Sequence, residues 1–309
     1  MPWLYATAPT AAVTSAISND HRRGVALCLL SAVGFGLMAV FAKKAYSDDV
    51  SVLTLLALRF TIAAGAFWAI VAARRPRPAA PPRRIVLAGL ALGAVGYAAQ
   101  AGGYFGALTR IDASLTALLL YVYPALVFLG AVVLRRDHID RRRIVALALA
   151  TGGAVLVLAG SGTGDLDALG VALGLTAAVA YSVYILVADG VTRQIEPFHL
   201  SALIATGAAA TLWTAGLVSG SLDLGFEAGG WGWIAGLALF STVLPISAFL
   251  AGLPKVGPAT ASIVSTVEPM VSVGMAMVWF GERLGVVQIA GGALVLAAVV
   301  LLAVNVRGR

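Results

Sequence analysis

The sequence predicts an all-α integral membrane protein. Ten transmembrane helices form two inverted five-helix repeats, with both termini on the cytoplasmic side. Three observations lead there. Of the 309 residues, 60% are hydrophobic and 11% charged, with a mean hydropathy of +0.95. Ordinary soluble domains carry about 25% charged residues, so the chain is short of the polar groups that a water-facing surface needs. Long apolar runs alternate with short polar or basic connections. Finally, residue patterns of the first half recur in the second at a nearly constant offset.

A membrane-spanning helix needs about 20 mostly apolar residues. Ten segments meet this, at approximately 24–46, 50–73, 85–106, 111–134, 143–160, 168–189, 198–219, 230–253, 257–280 and 284–305. The first follows Arg22 and Arg23 as a signal peptide would, but it is too long for a signal core and has a counterpart later in the chain. The resulting organisation is a flexible cytoplasmic tail (1–23), a first repeat (24–160), a linker (161–167), a second repeat (168–305) and a short cytoplasmic tail (306–309).

Charge fixes the orientation. With the N-terminus inside, Lys43, Lys44, Arg110 and Arg283 fall outside and Arg59 lies within a segment. The other sixteen of the 21 Lys and Arg are then cytoplasmic, as the positive-inside rule requires. A missed or added span would scramble that bias. The net charge of +7 therefore reflects topology, and no nucleic-acid partner is expected.

The repeats are readable. GVALCLLSAVGFGLMAVFA begins at Gly24 and GVALGLTAAVAYSVYILVA at Gly170. AGLAL occurs at 88–92 and 235–239, and Leu108-Thr109-Arg110 corresponds to Leu253-Pro254-Lys255. YVYPALVFLGAVVLRRD, ending at Asp137, corresponds to TVEPMVSVGMAMVWFGE, ending at Glu282. The offsets run from 145 to 147. An odd number of spans per half starts the second half on the opposite side, so the repeats are inverted. Inverted repeats are a recurrent construction of secondary transporters, because exchanging the conformations of two similar halves turns an inward cavity outward.

Several classes of function are excluded. One cysteine, Cys28, permits no intrachain disulfide. His21, His138 and His199 make no zinc motif, no Walker A sequence offers a hold on ATP, and HExxH is absent. No metal, no cofactor and no enzyme chemistry are expected.

TALLLYVYPALVFLGAVVL and SIVSTVEPMVSVGMAMVWFGERLG, in the fourth and ninth segments, resemble the two repeat signatures of the drug/metabolite transporter superfamily, EamA type. Glu268-Pro269, Gly281-Glu282, Gly291-Gly292 and Arg59-Phe60 carry the likeness, which covers roughly 24–305. The first half departs from it at Tyr123, in place of the Glu of the EP pair, and at Arg136-Asp137, in place of Gly-Glu. The resemblance implies a ten-helix transporter of small metabolites or amino acids, often moved outward.

The expected function is thus a secondary transporter in the cytoplasmic membrane that works by alternating access. It would move a small organic metabolite, amino acid or drug-like solute, as an exporter. Proton coupling stands open beside uniport and exchange. A passive facilitator of the same fold is the alternative, and an intramembrane enzyme a more distant one. The expected partners are the lipid bilayer, the solute and, if coupled, protons. A monomer suffices for the mechanism.

Glu268 is the proton-coupling candidate. A carboxylate in mid-membrane is costly and marks function by default, although a neutral Glu bracing its helix is the plainer alternative. Arg59 is assigned a structural role, because the second segment is expected to be peripheral. Pro124, Pro245 and Pro269 are candidate hinges or kinks. The candidate cavity residues are Tyr97, Gln100, Tyr104, Tyr121, Tyr123, Tyr181, Tyr184, Ser241, Thr242 and Glu268, since polar atoms in lipid must find partners inside.

Overall fold

The computed structural model describes all of the chain except 1–9, 76–79, 136–140, 161–166, 193, 266 and 304–309. The first nine residues of the expected tail, nearly all of the expected linker and the C-terminal tail lie outside the described residues.

Apolar sequence with few breakers gives helix throughout. The helices are α1 (Thr10–Gly36), α2 (Met38–Ser47), α3 (Val52–Ala73), α4 (Arg83–Ala91), α5 (Ala98–Ala107), α6 (Ala113–Leu120), α7 (Tyr123–Val133), α8 (Arg141–Gly160), α9 (Ala168–Thr192), α10 (Pro197–Ser219), α11 (Ala228–Ala238), α12 (Leu244–Ser265), α13 (Val267–Phe280) and α14 (Val286–Ala303). Helix already begins at Thr10, inside the stretch read as a tail. Among the described residues, seven helical stretches are long and apolar enough to cross a membrane. Ile144–Val157, Val267–Phe280 and Val286–Leu301 are shorter apolar helices among the described residues. The chain is a multi-pass membrane protein.

Helix capping is explicit at the ends of two long helices. The Ser51 hydroxyl accepts from the Thr54 amide at 3.2 Å and so starts α3. Glu196 caps α10 through the His199 amide at 2.9 Å, with Pro197 in the first turn. Gly220 ends α10 with φ of 66°, a left-handed value that glycine adopts without strain.

The expected kink prolines have distinct settings. Pro124 lies in the first turn of α7, just beyond the break at Tyr121 and Val122 that separates α6 from α7. A proline there removes only an N–H that would go unbonded anyway. Pro269 is the third residue of α13. α12 runs on to Ser265, through the gap that the sequence places between the eighth and ninth segments.

Pro245 follows a π-helical stretch, Leu239–Val243, which joins α11 to α12. Leu92–Tyr97, between α4 and α5, is also π-helical and contains no proline. The two stretches start at residues related by the repeat offset. The widened turn is therefore a feature of both halves and does not need Pro245. In the second stretch the Thr242 hydroxyl donates to the Leu237 carbonyl, five residues back, at 3.0 Å.

The packing is two-fold in pattern. α1 lies against α12 and α5 against α9; α1 also meets α13, and α7 meets α9. α3 pairs with α10, and α8 with α14. Exchanging corresponding spans of the two halves maps each pairing onto another or onto itself. Small residues allow the closest crossing. A Cβ on Gly93 would overlap the Ile204 carbonyl, and one on Gly207 would overlap the Leu90 carbonyl.

Candidate functional site

Both π-helical stretches deliver residues to one central chamber. A π-bulge shifts side-chain phase by inserting a residue, and such bulges recur at functional sites. Tyr97 closes the first stretch and Thr242 lies in the second; both line the chamber.

The chamber has two lobes that share Phe35, Tyr97 and Tyr181. The first holds about 90 Å³ and adds Arg59, Gln100, Tyr104, Tyr121 and Glu268 to its wall. The second holds about 180 Å³ and adds Phe60, Phe67, Tyr184, Ser201 and Thr242. One water needs about 10–15 Å³, so either lobe can take a group of several heavy atoms. The second lobe reaches toward the end of α3 and the start of α10, where Arg74 pairs with Glu196.

A run of rings forms one wall. Tyr121 meets Tyr123 at 6.0 Å between centroids, and Tyr123 meets Tyr181 at 4.6 Å. Tyr181 stacks on Tyr184 at 6.0 Å, Tyr184 meets Tyr97 at 5.6 Å, and Tyr97 meets Phe60 edge-on at 5.4 Å. Such edge and offset contacts suit the ring quadrupoles. The Tyr121 hydroxyl donates to the Glu268 carboxylate.

Of the residues expected in the cavity, Tyr97, Gln100, Tyr104, Tyr121, Tyr181 and Glu268 line the first lobe, while Tyr184 and Thr242 reach the second. Tyr123 packs between Tyr121 and Tyr181 and lines neither lobe. Ser241 is fully buried, and its hydroxyl has no hydrogen-bond partner among the described residues. Phe35, Met38 and Ser272 line the wall and were not anticipated. Ser272 had a signal, since it lies four residues beyond Glu268 on the same helical face.

Arg59 also lines the first lobe and is 1% exposed. Its Nε donates to Thr242 Oγ1 at 2.8 Å. The guanidinium carbon sits 4.9 Å from the Phe60 ring centre and 5.0 Å from that of Phe105.

The end of the bundle beyond Arg59 is closed by Glu282. Its carboxylate accepts from the Ala113 amide at 2.9 Å, the Ser114 amide at 3.0 Å and the Ser114 hydroxyl at 2.7 Å. Lys43 Nζ lies 3.1 Å away. Glu282 therefore caps α6 from the end of α13 and ties in α2. Burial alone would raise its pKa. The Ser114 and Ala113 hydrogen bonds and the charge of Lys43 outweigh that and hold the carboxyl below its ordinary value.

Two exposed ion pairs occupy corresponding places in the halves. Asp20 pairs with Lys255, and Asp167 pairs with Arg110 at 2.9 Å. The beginnings of the repeats pack accordingly: a Cβ on Gly24 would meet Lys255, and one on Gly170 would meet Arg110.

Comparison with known proteins agrees with this geometry. The EamA-like transporter family matches twice, over 22–159 and 168–304. An uncharacterized transporter of Archaeoglobus fulgidus is 28% identical over 284 residues, covering 91% of this chain and 96% of the relative. The uncharacterized transporter YcbK of Bacillus subtilis is 24% identical over 281 residues, covering 88% and 90%. The fold is similar to a crystal structure with a TM-score of 0.63 at 17% identity, over 90% of this chain and 95% of that one. The family match takes in nearly every helix that builds the chamber, and the chain belongs to the EamA-like transporter family.

Proposed function

We propose that the protein is a secondary carrier in which two inverted five-helix halves, 24–160 and 168–305, rock about the tyrosine-lined chamber. In this reading ten spans cross the cytoplasmic membrane and both termini are cytoplasmic. A small organic solute is taken from the cytoplasm and released outside. The observation that carries the reading is the matched pair of ion pairs, Asp20–Lys255 and Asp167–Arg110. Inverted halves place one on each side of the membrane, so that equivalent contacts guard opposite ends of the chamber. Glu282 then belongs to the outer closure, and it must let go of α6 for the chamber to open outward.

The two π-helical stretches support the same reading. Each lies in a span that contributes to the chamber wall, and a π turn is a place where a helix can change its hydrogen-bond register. Glu268 is the coupling candidate, because it lines the chamber beside Tyr121.

The test has two stages. A thermal-shift screen of the purified protein against a metabolite library identifies binding solutes. Counterflow into proteoliposomes then distinguishes mechanisms. Saturable flux with trans-stimulation is expected of a carrier. Uncoupled, non-saturating flux would favour a pore instead.

A further inference from the structure

We propose that Arg59 is the anion-recognising group of the chamber, so that a bound solute presents a carboxylate to its guanidinium. The proposal deepens the carrier reading and rests on it. The guanidinium is held in place but not satisfied. Its Nε is engaged by Thr242, and Phe60 and Phe105 flank it. Those contacts fix its plane and use one of its five N–H donors. Nη2 is buried and has no hydrogen-bond partner among the described residues. No carboxylate among the described residues forms an ion pair with Arg59.

A purely structural arginine at this depth would have its donors taken up by carbonyls or a carboxylate, because an unpaired buried charge is strongly unfavourable. Arg59 instead lines the lobe that also contains Gln100, Tyr104 and Glu268. An oxyanion in that lobe would supply what the fold withholds. The flat fork of a guanidinium matches the two oxygens of a carboxylate.

Charge count selects a monoanion. Arg59 is the one cationic residue in the chamber wall among the described residues, and the nearby Lys43 is bound to Glu282. A carboxylate balances a single guanidinium. A dianionic phosphate or phosphonate would leave one more negative charge than a carboxylate does in the same poorly solvated chamber. The aromatic wall favours a carboxylate attached to an apolar or aromatic body.

The test uses purified protein in detergent at mildly alkaline pH, where the phosphonate is dianionic, with ionic strength held constant. Thermal unfolding is followed against 3-phenylpropionate, its neutral amide 3-phenylpropanamide, phenylphosphonate and sodium chloride. The wild-type protein should be stabilised saturably by the carboxylate. The amide and the phosphonate should bind at least about tenfold more weakly, the scale of one lost charge-assisted hydrogen bond. Arg59→Gln should abolish the preference for the carboxylate, and Arg59→Lys should retain a reduced preference because a point charge lacks the fork.

Equal affinity for carboxylate and amide in the wild type, or no binding of either, overturns the proposal. So does an equal shift with chloride, or a folded Arg59→Gln protein that keeps the preference. The wild-type comparison needs no variant, so failure of Arg59→Gln to fold does not protect the idea. The two readings fail separately. A carboxylate preference without saturable counterflow of 3-phenylpropionate defeats the carrier and keeps the anion site. Counterflow of a library solute without that preference does the reverse.

Discussion

Glu282→Gln tests the proposed closure of the outer end. The wild-type carboxylate makes three hydrogen bonds, to the Ala113 and Ser114 amides and the Ser114 hydroxyl, and an ion pair with Lys43 at 3.1 Å. A glutamine of the same size keeps one acceptor oxygen. Its NH₂ faces donors on α6, and the charge that attracts Lys43 is gone. Hydrogen bonds to charged groups contribute about 1.5–3 kcal/mol each and do not add fully when they share one acceptor group. A net loss of about 2 kcal/mol from the closed state is a conservative figure on that basis. At about 1.4 kcal/mol per decade, this enlarges the open fraction about 30-fold. The assay is hydrogen exchange at the first turn of α6, where the Ala113 and Ser114 amides are protected only while Glu282 caps them. Exchange there should accelerate about 30-fold in the variant, while α8 and α14 stay unchanged. Unaltered exchange in a folded variant would refute the cap as an outer closure.

The pH dependence of that cap follows from its sign. A carboxyl whose pKa is lowered in the folded protein stabilises it above the unfolded value, and the contribution is lost as pH falls through the folded value. Protection of Ala113 and Ser114 should therefore be flat across neutral pH, once intrinsic exchange is corrected for. It should disappear only below the ordinary carboxylate range.

Other perturbations separate the remaining ideas. Glu268→Gln should leave saturable flux of a screened solute but remove its dependence on a proton gradient; an unchanged pH response in reconstituted vesicles would dispose of coupling through Glu268. Gly93→Val should lower the melting temperature, since its Cβ meets the Ile204 carbonyl and α10 must shift, at a cost of about 1–3 kcal/mol. Gly102→Ala, with nothing within 4 Å of its Cβ, should be neutral or slightly stabilising. Asp20→Asn and Asp167→Asn remove equivalent ion pairs, so cysteine labelling from each face should find them biasing access in opposite directions; a shift in the same direction would contradict inverted halves.

What the sequence determined by itself was local or periodic. Hydropathy and span length depend only on neighbouring residues, and the repeat offset is a property of the string. The apolar runs, the repeat and the likeness of Glu268-Pro269 to a family motif were therefore legible, and the match over 22–159 and 168–304 agrees with them. Only the tertiary structure decided which polar groups meet. These spans are apolar on nearly every face, so no amphipathic stripe tells which tyrosine turns inward. Tyr121 consequently lines the first lobe, while Tyr123, two residues later, lines neither. The π-helical stretches at Leu92–Tyr97 and Leu239–Val243 each open on the last Leu of an AGLAL string, but nothing in that string marks a widened turn, and only one stretch adjoins a proline. Glu282 caps a helix that begins 169 residues earlier in the chain, and Arg59 borrows Thr242 from the other half. Those partners are brought together by the packing of one half on the other, and no local feature of the sequence encodes that contact.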